Sequence, residues 1–245
     1  MEKKKLTLTT LFLAAFLVTG ITPIVTAQPY VYDKSVPMEK SCTIHIAMGA
    51  VTKFNGVKTG TEWWYGVLRA KAVIIPAGKH TLELTNGSEA DRGDRIESRV
   101  DSRTLTYEFL PGHTYSVFAI TNAGSLFKKA EFITKIIDIG PLELIPDPTH
   151  PDATPLEGKW ENTKKKTQII ISGDMWIWVY SGKYTYRGSI IVDGDKVTLT
   201  ILAQYQNGIW ALDRYLTWGQ TNVYKKLTFD GTRLFDKKDP FEKTL

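Results

Sequence analysis

Hydrophobic and polar positions alternate with a period of two along most of this chain. No apolar spacing of i, i+3, i+4, i+7 runs for three turns without a breaker. In the first half the alternation predicts strands at 42–48, 51–54, 67–75, 80–84, 104–109, 114–120 and 130–139. Between them stand Asn55-Gly56, Pro76-Ala77-Gly78, Asn86-Gly87, Pro111-Gly112 and Asn122-Ala123-Gly124. These are turn residues with a mechanism, because Pro presets φ and Gly or Asn accepts φ > 0. Seven short strands at this spacing predict an antiparallel β-sandwich over residues 28–140. The charged stretch 89–101 carries too little apolar content for a core strand and is predicted as an exposed loop.

Residues 141–155 break the pattern. Pro146, Pro148, Pro151 and Pro155 fall within ten residues that hold no apolar side chain larger than Ala, so this stretch is read as a semi-rigid, extended linker. Residues 156–245 then predict a second β domain. Strands are expected at 158–162, 167–172, 175–180, 183–192, 196–202, 209–213 and 222–229, with shorter ones at 233–235 and 241–244. Tight turns such as Ser181-Gly182, Asn207-Gly208 and Asp230-Gly231 join them, which implies an up-and-down meander. Closing the meander into a small barrel removes its exposed edges.

The start of the chain reads as an export signal over residues 1–27. Lys3, Lys4 and Lys5 precede an apolar run at 6–18, Gly20 and Pro23 break it, and Val25-Thr26-Ala27 supplies small residues for cleavage before Gln28. The run is shorter than the roughly 20 residues that span a bilayer. No second long apolar stretch follows, so the mature chain is expected to have no transmembrane segment and to be exported, periplasmic or extracellular.

Gly158-Lys159-Trp160 opens the second domain, and Gly182-Lys183-Tyr184-Thr185-Tyr186-Arg187-Gly188, Val192–Asp195 and Lys226–Leu234 continue it. In this series the domain resembles small bacterial lipocalin-like domains, which implies an up-and-down β-barrel. In the first domain Ile74-Ile75-Pro76-Ala77-Gly78-Lys79-His80-Thr81-Leu82 carries a Pro-x-Gly-x-His hairpin, echoed by Phe109-Leu110-Pro111-Gly112-His113-Thr114-Tyr115. It resembles PEGA-like secreted bacterial β-sandwich domains. Neither resemblance implies an enzyme, and both point to the bacterial envelope.

Charge and composition exclude more than they assign. Removing Lys3, Lys4, Lys5 and Glu2 leaves 28 basic and 25 acidic residues, a surplus too small and too interspersed to argue for nucleic acid. The single cysteine, Cys42, excludes an internal disulfide and a Cys-rich metal site, and its alternation with Ile44 and Ile46 predicts a buried apolar role. His45, His80, His113 and His150 lack metal-ligand spacing, and no nucleophile elbow or phosphate loop is present, so no catalytic residue, metal or cofactor is expected. Arg92-Gly93-Asp94 matches an adhesion tripeptide, a match too short to carry a function alone.

The aromatic rows are the chemistry that stands out. Period two places Trp176, Trp178 and Tyr180 on one face of a strand, with Met175, Ile177 and Val179 on the other, and Tyr184 and Tyr186 on the next strand opposite them. These five rings either fill the barrel as core or line a site for a small amphiphile or a glycan. Trp63 and Trp64 are adjacent and must point to opposite faces, so one of them is a candidate surface aromatic. The expected function is a secreted or periplasmic non-catalytic binding protein acting through the barrel. The alternative is an envelope structural or adhesive protein that meets a surface partner through the sandwich.

Overall fold

The structure, a computed structural model, describes residues 29–60, 63–64, 72–91, 96–122, 131–217 and 219–244. The expected export segment and the Arg92-Gly93-Asp94 tripeptide lie outside these residues. The fold is all-β, with 67% of the described residues in strands, a closed eight-strand antiparallel barrel and separate sheets. No described helix is long and apolar enough to cross a membrane.

The first half contains β1 (Tyr30–Val31), β2 (Ser41–Met48), β3 (Ala50–Phe54), β4 (Val57–Lys58), β5 (Ala72–Pro76), β6 (Gly78–Asp91), β7 (Ile96–Phe109), β8 (His113–Asn122) and β9 (Glu131–Pro141). They form a five-stranded sheet in the order β1-β5-β2-β8-β9 and a four-stranded sheet in the order β4-β3-β6-β7. Alternate residues pack between the sheets: Cys42, Ile44 and Ile46 from β2, Leu82 and Leu84 from β6, Tyr115 and Val117 from β8, with Trp63 fully buried among them. Two pairings, β1 with β5 and β2 with β8, are parallel. Hairpin turns specify only antiparallel neighbours, so the turn pattern does not reveal these two.

Two expectations need correction. Asn86-Gly87 does not turn the chain: both residues continue β6, opposite Asp101 and Val100 of β7. Nor is 89–101 a loop, since 89–91 and 96–101 extend the same pair of strands into a long ribbon. Backbone pairing needs no apolar alternation, so a charged sequence does not reveal it.

The second half holds β10 (Gly158–Asn162), β11 (Thr167–Ser172), β12 (Met175–Tyr180), β13 (Lys183–Asp193), β14 (Lys196–Gln206), β15 (Ile209–Leu212), a short helix α1 (Arg214–Thr217), β16 (Asn222–Phe229), β17 (Leu234–Asp236) and β18 (Asp239–Lys243). Consecutive strands pair except β15 and β16, β16 pairing with β14 instead, and β10 meets β18 to close the wall. β15 folds back on the far end of β14 outside the closed ring, through the turn Asn207-Gly208, whose φ values of 52° and 83° are those a tight hairpin demands.

The outer wall of the barrel lies on the five-stranded sheet. Phe118, Ile120 and Ile139 meet Ile170, Ile177, Val179, Ala203, Trp210 and Leu212 in a third apolar cluster. That is why Thr114 to Ile120 of β8 are all buried: one face looks into the sandwich and the other at the barrel. The proline-rich stretch between the domains is irregular, as expected, yet it is pinned along its length. Leu142 O accepts from Trp210 Nε1 at 2.9 Å, and the buried Glu157 carboxylate accepts from the backbone N–H of Asp147 and Gly173 at 2.9 and 2.7 Å.

Candidate functional site

The five aromatics singled out from the sequence do not share one face. Trp178 lies opposite Tyr186, but its neighbour Val179 lies opposite Tyr184, so Thr185 is an extra residue in a β-bulge. Its hydroxyl donates to Trp178 O at 2.9 Å. The bulge sends Tyr186 into the barrel with Trp176 and Trp178, and turns Tyr184 outward against Trp210 and Tyr205 beneath the sandwich. Tyr180, at the end of its strand, is exposed.

Inside the barrel the rings meet one another. Trp176 stacks on Tyr224 at 5.4 Å, Trp178 packs against Tyr224 and Phe241 at 5.2 and 5.7 Å, and Tyr186 lies 4.9 Å from Tyr224. Trp176 is fully buried and its Nε1 donates to Ser189 O and Thr200 O. Gly188 is paired with Trp176, and β14 passes so close that a Cβ there would come within 1.6 Å of Thr200 O. Trp176 and Trp178 are buried in this cluster, with Tyr186 and Tyr224 half-buried against it. Tyr224, the hub of the cluster, escapes a reading by alternation: counted back from buried Leu227 it falls outside, and only a bulge between Val223 and Lys225 turns it in. Burial pushes its phenol up to about 12, with Tyr186 and Asp236 adding to the effect.

Space opens instead where the two domains meet. A cleft of about 410 Å³ lies between the ends of β2, β5 and β8 and the β14–β15 hairpin. Met38, Cys42, Ile74, Leu142 and Ile209 make its walls apolar, while Ser41, Thr43, Thr114 and His113 contribute polar atoms. Met38 is 60% exposed and Leu142 41% exposed, so two large apolar side chains stand uncovered at this junction. His113 Nδ1 is 3.1 Å from the Asp138 carboxylate, which also accepts from the N–H of Gly140 at 2.7 Å.

The groups that could carry chemistry are engaged structurally. His80 bridges Pro76 O through Nε2 and Asn55 Nδ2 through Nδ1, both at 2.9 Å, and so ties the β3–β4 turn to the start of β6. Buried His45 accepts at Nδ1 from the backbone N–H of Leu212, across the domain junction. The Cys42 thiol is pushed up to about 12, chiefly by burial and then by Asp138, which keeps it protonated and unreactive. Among the described residues no three His, Cys, Asp or Glu side chains are grouped to hold a metal ion.

A second opening, of about 400 Å³, lies on the sandwich. Adjacent Trp63 and Trp64 point to opposite faces: Trp63 is fully buried in the core, whereas Trp64 is 43% exposed beside Ala50, Thr52, Thr85, Gly87 and Val100. No protein-family model, no curated protein and no solved structure matches this chain.

Proposed function

We propose that this chain is an exported, non-catalytic binding protein of the bacterial envelope or exterior, and that it takes a small amphiphile in the cleft between sandwich and barrel. The carrying observation is that cleft, walled by apolar side chains from both domains and left with Met38 and Leu142 uncovered. Its volume falls within the range of small-ligand sites, and its few polar groups suit a head group at one end of an apolar tail. The lipocalin-like reading of the barrel keeps a different role here. Rings pack the barrel interior, and the β14–β15 hairpin outside the closed wall presents Gly208 and Ile209 to the ligand.

The test is titration of the full chain with a fluorescent dodecyl-chain fatty acid. Saturable binding is expected. Met38→Glu and Leu142→Glu should each weaken it about tenfold, the loss of one apolar contact, without lowering the melting temperature. No saturable binding, or unchanged affinity in both variants, overturns the reading.

A further inference from the structure

The outer face of the four-stranded sheet carries a second arrangement, independent of the cleft. Trp64 pairs with Ala50 through a single antiparallel bridge and holds its indole over the opening of about 400 Å³. Among the described residues no charged one lines that opening. Thr52 and Thr85 share a hydroxyl–hydroxyl hydrogen bond of 2.9 Å beside it, and Thr81 and Thr106 repeat the pairing further along the face at 3.1 Å. The nearby Glu83 is paired with Lys53 at 2.9 Å, so the acid bordering this face is neutralised.

Gly87 adds the observation that points to a ligand. It sits within β6 in unbroken register with β7, with neither a bulge nor a positive φ to require it. Among the described residues a Cβ at Gly87 would meet nothing within 4 Å, so their packing does not require glycine either. A glycine inside a strand weakens it, and one left bare of any neighbour marks a place where something else approaches the backbone.

We propose that Trp64, Gly87 and the Thr52–Thr85 pair form a binding site for a neutral saccharide. A pyranose presents one face of C–H groups and a rim of hydroxyls. The C–H face stacks on the indole and slides over the bare Gly87 backbone, and the rim hydroxyls exchange hydrogen bonds with Thr52, Thr85 and Asn86. The described lining is uncharged, which suits a neutral sugar better than an anionic one, whose desolvation would need a cation.

Calorimetric titration of the full chain with neutral hexaoses of glucose (α- and β-linked), xylose, mannose and N-acetylglucosamine tests the site. At least one should bind. Trp64→Ala and Gly87→Leu should each weaken it roughly tenfold or more, the second while leaving the melting temperature unchanged or higher. Trp64→Tyr should retain part of the affinity, and Met38→Glu should leave it unaltered, which separates this site from the interdomain cleft. The proposal is overturned if no hexaose binds, if binding survives both Trp64→Ala and Gly87→Leu, or if Gly87→Leu instead dissociates a dimer of the chain.

Discussion

In the barrel most pairs join strands that follow one another in the chain, and only β14 with β16 and the closing pair β10 with β18 do not, whereas the centre of the five-stranded sheet is itself a non-local parallel pair, β2 with β8. His45 and Ser116, 71 positions apart, lie side by side there. The barrel thus assembles from hairpins and closes on itself, leaving only β15 hanging from β14. The sandwich needs distant segments to meet before its central sheet exists, and among the described residues its two sheets end at β1 and β9 and at β4 and β7. Non-local pairing of that kind pays loop closure before any contact rewards it. The comparison also separates their interiors. The barrel spends its rings on a closed core, and both proposed sites lie on surfaces of the sandwich or at its junction with the barrel.

Replacing a barrel ring tests this division most severely. Trp176→Ala removes a fully buried indole that stacks on Tyr224 and donates to two carbonyls. A loss of about 3–5 kcal/mol is expected from denaturant unfolding followed by circular dichroism. A loss below about 1 kcal/mol would mean the ring borders space rather than core, and would return the ligand to the barrel.

The same contrast explains what could be read from the sequence. β10, β11, β12 and β16 have the bounds that alternation and turn chemistry predict, because turns such as Ser181-Gly182 and Asp230-Gly231 punctuate the chain and the proline-rich stretch precedes β10. Reading by period fails where the period itself shifts. Bulges at Thr185 and Tyr224 move one ring out of the predicted row and bring an unpredicted one in. It fails again where burial comes from the other domain, as at His45 and Arg187, whose surroundings belong to distant segments. Of the candidate sites, the exposed tryptophan was legible from the Trp63-Trp64 pair, since neighbours on an extended chain face opposite ways. The cleft was not, because its walls come from segments between Met38 and Ile209 that only folding brings together.

Arg187 sharpens the comparison at the junction. It is fully buried, its Nη1 donates to Pro141 O, and its guanidinium carbon lies 5.2 Å from the Trp210 ring centre. Nε and Nη2 have no hydrogen-bond partner among the described residues. Burial pushes the group down to about 10 against the pull of Asp138. A buried charge with one acceptor is held at a loss, so Arg187→Met should raise stability by about 1 kcal/mol, after the lost hydrogen bond and ring contact are deducted. Guanidinium chloride titration of both proteins reads the difference. A drop of more than about 2 kcal/mol would show that the arginine joins the domains rather than burdening their contact.

Alkaline pH should then set the two domains against the junction by a smaller margin. Burial raises Cys42 in the sandwich from 9.0 to about 12 and Tyr224 in the barrel from 10.0 to about 12. Once the pH passes 9, the unfolded chain releases the Cys42 proton while the native chain retains it. The unfolded state then binds fewer protons, and stability falls as pH rises. Tyr224 joins above pH 10 with the same sign. Arg187 acts oppositely there: its native value of about 10 lies below the ordinary 12.5, so the native state sheds the proton first and gains stability as pH rises further. Between pH 9 and 10 Cys42 leads, and comparison with Cys42→Ala cancels the contributions of Tyr107, Tyr115, Tyr184 and Tyr224, all raised by burial. Melting temperatures over that interval should fall less steeply in Cys42→Ala than in the parent, a difference of at most about 1 kcal/mol. Parallel slopes would mean that the native thiol titrates near its ordinary value. A native chain that reacts with a maleimide at pH 8 would agree with that outcome and open the sandwich side of the cleft to solvent.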